Sequence, residues 1–487
     1  MKLKDFSHVI WKTKWSQLLL LTLLSFSGWG QMHSTESRPN VVIIFIDDQG
    51  YYDLGCYGAT EVETPRIDQL AKEGIRFTDY YAAAPICSPS RAGLLTGAYP
   101  RRIGMQTWVQ RADSNRGIHT DEVTIAELFK ANGYTTACIG KWHLGDKKPF
   151  EPMAQGFDYH FGMYSNLDPV ETVYFGDEGV PILRNGKIVK RSAEPAELTN
   201  LYTQEAIQFF KRNKDKPFFL ACGFVRPHVP LVAPAKYFDL YERDAMEAPV
   251  VPEDDLEDVP QIIRNYKRNS TTYGVTPELH KGLLEAYYAS ISYMDAQVGR
   301  VLDVLEELGL DENTIVVFTS DHGYMLGHHH KFQKQHLFEE STRVPFIVSV
   351  PWIKKQHGKA TKHITELIDL YPTLADLSGL KAPKNLHGES LALLLKNPSS
   401  AGWRKDLAFT ISRNGGESIR THDWRYTHWG YGEKGQELYD LKKDPGEFTN
   451  LVGDPKYSAS MKKLKKKLLS KRMNAGYSVE RFGKKRK

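Results

Sequence analysis

Three short stretches of the 487-residue chain end apolar runs with side chains that could do chemistry together: Asp47-Asp48, Asp321-His322-Gly323 and Lys141-Trp142-His143. A fourth, Cys87-Ser88-Pro89-Ser90-Arg91, sets a cysteine among polar, turn-forming neighbours. Adjacent carboxylates repel unless a cation or proton sits between them. Three Asp side chains suit a hard, oxygen-bound ion, Ca²⁺ or Mg²⁺ rather than Zn²⁺. One such cluster alone reads as a helix cap or a solvated turn; two, each after a buried strand, point to a metal. Cys87 opens a helical pattern with Pro89 in its first turn and Gly97 at its end. Its thiol therefore lies where unpaired N–H groups and the helix dipole favour anions, with Arg91 one turn on. The spacing reads as a thiolate nucleophile and demands nothing beyond one.

The elements that must position these residues alternate. Val41 to Ile46 is a continuous β-branched run of the kind buried parallel strands show. Thr64-Pro65 predicts a helix with Thr64 as N-cap, Ile67, Leu70 and Ala71 on one face and Gly74 as terminator. A second helix is expected over Val123 to Ala131, then strands over Tyr134 to Ile139 and Phe218 to Phe224. A long helix from Pro277 to Leu308 leads into a strand from Thr314 to Thr319. This β–α alternation predicts an α/β fold, a mostly parallel sheet covered on both faces, with ligands at the carboxyl ends of the strands. Val250 to Val275 reads as a long surface excursion. Past about Lys381 the pieces shorten (Leu407 to Ser412, Trp424 to His428, then a Lys-rich helix), which predicts a smaller α+β subdomain. The expected division is a signal peptide over 1–30, a catalytic domain over 31–380 and a C-terminal subdomain with a basic tail over 381–487.

The signal peptide rests on Lys2, Lys4, Lys12 and Lys14 ahead of an apolar run from Leu18 to Phe26 and the small residues Ser27, Gly28 and Gly30. The run is too short to span a bilayer, so the expectation is an exported, periplasmic or secreted protein whose mature form is not inserted in the membrane. Cysteine is used too sparingly for a disulfide framework: Cys56, Cys138 and Cys222 accompany Cys87, and Cys138 and Cys222 sit in strand-like runs. From Met461 to Lys487 twelve Lys or Arg face one Glu, an excess larger than the whole chain's net +5. The rest of the chain is therefore net negative, and no nucleic-acid partner is expected. The tail reads first as a solvated helix face, second as a docking strip for an anionic polysaccharide.

Cys87-Ser88-Pro89-Ser90-Arg91 with Leu95-Thr96-Gly97 resembles the signature of type I sulfatases, of the alkaline-phosphatase/sulfatase-like fold. The resemblance runs from Asn40 to about Asn450 and is nearest to the iduronate-2-sulfatase-like branch. It is supported by Leu54 to Gly58, Pro227-His228-Val229-Pro230, Ser290 to Gly299, Thr319 to Gly323 and Ile419 to Trp429. It implies that a maturation enzyme oxidises Cys87 to formylglycine (3-oxoalanine). It also implies one Ca²⁺ per chain, held by Asp47, Asp48, Asp321, His322 and the modified position 87. Arg91, Lys141 and Lys334 match the cations that hold formylglycine and sulfate, and His143 and His228 match the two active-site histidines. Tyr324, His328 and His329 fall in the loop after the metal strand as sugar contacts; His328 replaces the acidic residue usual in that branch, against iduronate specificity. Arg413, Arg420 and Arg425, with Trp424 and Trp429, lie where the smaller subdomain would reach a uronate carboxylate or a neighbouring sulfate, with simple packing the equal alternative.

The implied reaction is hydrolysis of a sulfate ester on a sulfated oligosaccharide. A hydroxyl of hydrated formylglycine attacks sulfur, a covalent sulfo-enzyme forms, His228 with Lys334 assists the leaving oxygen, and His143 releases the sulfate. The expected substrates are uronate- or rhamnose-containing fragments, such as those of ulvan, or glycosaminoglycans, attacked at chain ends. Three other readings stay open: a phosphate or phosphonate ester hydrolase of the same superfamily, a hydrolase using the unmodified thiol, and a non-catalytic carbohydrate-binding relative.

Overall fold

The structure, a computed structural model, describes residues 38–109, 116–164, 179–192, 194–266 and 269–476. The expected signal peptide and the terminal Gly483 to Lys487 cluster lie outside the described residues. Among those residues ten strands form one sheet: β1 (Asn40–Asp47), β2 (Ile75–Phe77), β3 (Thr135–Lys141), β4 (Tyr159–Met163), β5 (Val180–Arg184), β6 (Lys187–Ser192), β7 (Phe218–Pro227), β8 (Thr314–Ser320), β9 (Phe346–Ser349) and β10 (Ala360–Thr361). Their order is β10-β2-β9-β8-β1-β7-β3-β4-β5-β6. The run β8-β1-β7-β3-β4 is parallel throughout. The antiparallel pairs flank it, β8 with β9 on one side and β4 with β5 on the other. This is the mixed, mostly parallel α/β sheet that the alternation predicts.

β1 shows why it takes the centre. All eight of its residues are buried, and successive side chains point to opposite faces. Val42, Ile44 and Ile46 pack with Leu198, Tyr202 and Phe209 of helix Pro195–Asn213 and with Ile291, Met294 and Val298 of helix Pro277–Glu307. Val41, Ile43 and Phe45 pack on the other face with Ala92, Leu94 and Leu95 of helix Cys87–Thr96 and with Ile125 and Phe129 of helix Ile125–Ala131.

One helix start and one helix cap differ from the expected ones. The helix expected from Val123 begins at Ile125, because Thr124 is its cap: Thr124 Oγ1 accepts from Glu127 N, and Glu127 accepts in return from Thr124 N. Thr64 does not cap helix Pro65–Lys72 with its side chain. Its hydroxyl accepts from Gly55 N (2.9 Å) and donates to Asp68 Oδ1 (3.2 Å). The free amides of Arg66 and Ile67 are taken instead by Asp295, from the long helix, at 2.8–3.2 Å. A tertiary contact has replaced a local one.

The later part of the chain forms a separate antiparallel sheet of Ala408–Ile411, Gly416–Arg420, Trp424–Trp429 and Gln436–Asp440. Helix Ser458–Asn474 covers it, with Leu464 and Leu468 against Phe409, Ile419, Tyr426 and Leu438. Ala83, Tyr99 and Ile368 join the same cluster, so the small sheet packs its apolar face against segments from earlier in the chain. No described helix is long and apolar enough to cross a membrane.

Candidate active site

The two central strands β1 and β8 stop together, Ile46 opposite Ser320. Consecutive strand residues would send Asp47 and Asp48 to opposite faces. Instead the pairing of β1 with β7 shifts between Ile46 and Asp47, and Asp48 takes a left-handed φ of 67°. That conformation costs a non-glycine residue about 1–2 kcal/mol, and it turns both carboxylates to one centre. The backbone is tied down as it turns: Asp48 N donates to Asp321 Oδ1 (3.2 Å) and Gln49 N to Ser320 Oγ (3.0 Å).

Cys87 is the first residue of its helix, 2% exposed, after extended Ile86. Its Sγ lies 3.4 Å from Asp47 Oδ1, 3.3 Å from His322 Nε2 and 3.3 Å from Lys334 Nζ. Asp47, Asp48, Cys87 and His322 each offer one ligand atom, and these atoms lie within 4.8 Å of one another. Asp321 stands behind them, its carboxylate accepting from Asp48 N, His322 N and Arg91 Nε. A cluster this rich in carboxylate fits a hard divalent cation, which would separate charges that otherwise repel.

Three cations close the centre from other sides. Lys141, at the end of β3, bonds Asp47 Oδ2. Lys334 reaches both oxygens of Asp48, at 2.7 and 3.0 Å, from a turn in which Gln333 and Gln335 both have positive φ. Arg91 Nη1 donates to Lys141 O (3.0 Å), while its buried Nη2 lies 3.7 Å from Asp47 Oδ1 with no hydrogen-bond partner among the described residues. Burial opposes a Cys87 thiolate, but Lys141, Lys334 and His322 hold the thiol well below its usual range. Burial and Cys87 likewise work against ionised Asp47, yet Lys141, His228 and Arg91 keep it below the ordinary carboxylate value.

The histidines differ in their surroundings. Burial, with Lys141 adding to it, drops His143 to about 4, so it is neutral and able to accept a proton. Burial also opposes protonation of His322, but Asp321 and Cys87 raise it to about 9, a pull that a cation bound among these groups would reverse, freeing the ring nitrogen as a ligand. His228 follows the end of β7. Its Nδ1 pairs with Val229 O at 2.7 Å, and its buried Nε2, 3.7 Å from Asp48 Oδ2, has no hydrogen-bond partner among the described residues. His143 Nδ1 is also buried without one.

The structure thus brings together Asp47, Asp48, Cys87, Arg91, Lys141, His143, His228, Asp321, His322 and Lys334. It spreads the expected sugar contacts more widely. Tyr324 and His328 line a cavity of about 490 Å³ with Tyr51, Tyr52, Asp53 and Glu340. His329 does not line it: it is 1% exposed, 3.1 Å from Asp255 Oδ2 and stacked on Phe338 at 3.7 Å. Arg420 and Arg425 are buried and already neutralised, Arg420 by Glu339 (3.2 Å) and Asp79 (3.6 Å), Arg425 by Glu339 and Glu447. Trp429 Nε1 is used by Glu437 (2.6 Å), and Trp424 packs beside Tyr457. For these the packing alternative holds. Arg413 is exposed. Its guanidinium lies 4.2 Å from the ring centre of Trp108, beside a cavity of about 640 Å³ lined also by Arg101, Asn414, Tyr431 and Lys434. Trp108 and Tyr287, whose hydroxyl touches the Asp48 turn, are contacts that the sequence reading passes over.

Comparison with known proteins agrees with this geometry. A family profile described as Sulfatase matches residues 39–380, and one described as N-sulphoglucosamine sulphohydrolase, C-terminal, matches 327–474. Among curated relatives, a "Sulfatase" of Formosa agariphila is 31% identical over 96% of this chain and 94% of its own length. An "Ulvan-active sulfatase" of the same organism is 32% identical over 90% and 82%. An "N-acetylglucosamine-6-O-sulfatase" of Bacteroides thetaiotaomicron is 31% identical over 93% and 90%. Among solved structures, that of BT4656 with its substrate D-glucosamine-2-N,6-O-disulfate superposes with a TM-score of 0.76 at 26% identity, covering 91% of this chain and 100% of that one. The phosphonate monoester hydrolase of Agrobacterium radiobacter gives 0.75 at 25% identity, covering 90% and 96%. The matches cover nearly the whole described length and agree with the carboxylates and the cysteine that converge at the strand ends, so this chain belongs to the type I sulfatase family and is a sulfuric ester hydrolase.

Proposed function

We propose that the chain removes sulfate esters from sulfated carbohydrates, with position 87 matured to formylglycine and one Ca²⁺ held by Asp47, Asp48, Asp321, His322 and that residue. The observation that carries the reading is the meeting of four ligand atoms within 4.8 Å under three cations. Hydrated formylglycine supplies a hydroxyl nucleophile, and a bound divalent ion supplies Lewis acidity toward it and toward the sulfate oxygens. The protein's own groups do the rest. Lys141, Lys334 and Arg91, all buried, hold negative charge on sulfate. His228, whose Nε2 is unengaged, protonates the departing sugar oxygen with Lys334 beside it. Neutral His143 takes the proton that must leave position 87 before sulfate can go.

The substrate class is drawn from relatives: an ulvan-active sulfatase and an N-acetylglucosamine-6-O-sulfatase share about a third of their residues with this chain. We assign uronate- or rhamnose-containing oligosaccharides such as ulvan fragments, or glycosaminoglycan fragments, attacked from their ends. Arg413 on Trp108 binds an anionic group of the sugar chain, and Tyr324 and His328 are sugar contacts. Residues 31–380 form the catalytic domain and 381–487 the C-terminal subdomain. Export through the 1–30 leader brings the enzyme to such polymers.

The test combines a mass and an activity. Active protein is digested, the peptide carrying position 87 is weighed, and sulfate release is followed on ulvan and glycosaminoglycan oligosaccharides with and without prior lyase digestion. Turnover by protein with wholly unconverted Cys87 would refute the mechanism, and equal release from intact polymer would refute end-directed action. The likeness to a phosphonate monoester hydrolase supports a second reading. It is favoured if matched aryl phosphonates are cleaved faster than aryl sulfates.

A further inference from the structure

We propose that Tyr287 is a positioning residue that fixes Asp48 in the turn that lets it share a cation with Asp47. The inference rests on the metal reading above. Tyr287 lies in the long helix Pro277–Glu307, fully buried, with no group that could touch substrate. Its hydroxyl stands at the foot of the Asp48 turn and meets three groups of that turn. The single proton is shared between Asp48 O (3.0 Å) and Asp53 Oδ2 (2.8 Å), and the oxygen accepts from Gly50 N (3.2 Å). These contacts fasten the backbone directly after the one residue that has to hold a positive φ for both carboxylates to face one centre. The other metal strand is gripped as well. The ring of Tyr287 is stacked on Tyr324, two residues after His322, at 5.5 Å between centres and 11° between planes.

One side chain thus ties the turn after β1 to the loop after β8. A hydrogen bond to a ligand's own backbone sets where its oxygens point, and partners of this kind alter metal affinity although they never touch the ion. Without the hydroxyl, Asp48 O and Gly50 N lose a buried partner, and the turn is freer to relax toward an extended form in which Asp48 leaves the centre.

The experiment is a Ca²⁺ titration by calorimetry on chelator-stripped protein, with melting temperature recorded in chelator. Tyr287→Phe keeps the ring and the stack and removes only the hydroxyl. The expected result is a Kd for Ca²⁺ raised by about tenfold or more, a metal-free melting temperature close to the parent's, and kcat restored at saturating Ca²⁺. Unchanged Ca²⁺ affinity in Y287F would overturn the proposal, as would a loss of affinity matched by an equal loss of metal-free stability. Should Y287F fail to fold, Tyr324→Leu is read instead. It removes the stacking partner outside the helix and should raise the Ca²⁺ Kd in the same direction, and an unchanged Kd again overturns the proposal. A parent protein that binds no Ca²⁺ would defeat the metal reading itself, a separate result.

Discussion

Lys334 holds its ammonium 3.3 Å from Cys87 Sγ while keeping both oxygens of Asp48 within 3.0 Å. One cation therefore touches the nucleophile position and a metal-ligand candidate at once. Lys334→Ala should lower kcat on a sugar sulfate by about 10²–10³-fold, the usual loss when one donor to a developing anion is removed. The loss should be smaller on an aryl sulfate, whose leaving group needs no help. Equal losses on both substrates would leave Lys334 a charge-holding role and remove it from the leaving-group step.

Among the described residues Arg413 is the one arginine of the expected uronate set without a carboxylate partner, and its guanidinium lies 4.2 Å from the ring centre of Trp108. Arg413→Ala should raise KM for a charged oligosaccharide by about tenfold, the equivalent of one charge-assisted contact near 1.4 kcal/mol. Its kcat/KM on a small aryl sulfate should stay within about twofold. Steady-state kinetics on the two substrates decides, and a parallel loss on both would place Arg413 in the fold rather than in recognition.

Asp295 offers a stability test away from the metal. Burial pushes its carboxyl up to about 7, although the amides of Ile67 and Arg66 pull the other way. In the unfolded chain it titrates near 3.9, so across about pH 4 to 7 the folded protein holds a proton that the unfolded chain has released. Its contribution to stability is therefore fully present below about pH 4 and lost as pH rises through about 7. Asp295→Asn keeps an acceptor for the helix and cannot titrate. Thermal melts at about pH 5 and about pH 8 should show a smaller fall for D295N than for the parent; an equal fall would exclude this carboxyl as its source.

Much of the frame can be read from residues 40–47 and 314–320, because strands buried on both faces are written as unbroken apolar runs. The placement of Asp47, Asp48 and Asp321 was legible for the same reason, since a polar residue that ends such a run falls at the sheet's carboxyl edge. Contacts made through space were not. Thr64 looks like a cap, but Asp295, 231 positions later, takes the amides. Arg420 and Arg425 look like anion receptors, but Glu339 and Glu447 reach them first. Tyr287 reads as one more apolar helix position, since nothing in a 3.6-residue period marks which tyrosine hydroxyl will meet a strained turn.

The cysteine at position 87 sits in a helix whose ten residues are all buried. On the proposed reading, an oxidising enzyme has to seize the peptide around that thiol, and the finished interior leaves it nothing to hold. The alteration therefore belongs to the life of the chain before collapse. A molecule that closes too early would be well formed and permanently silent. The active fraction of a preparation is then a record of a race, run once per molecule, between tailoring and folding.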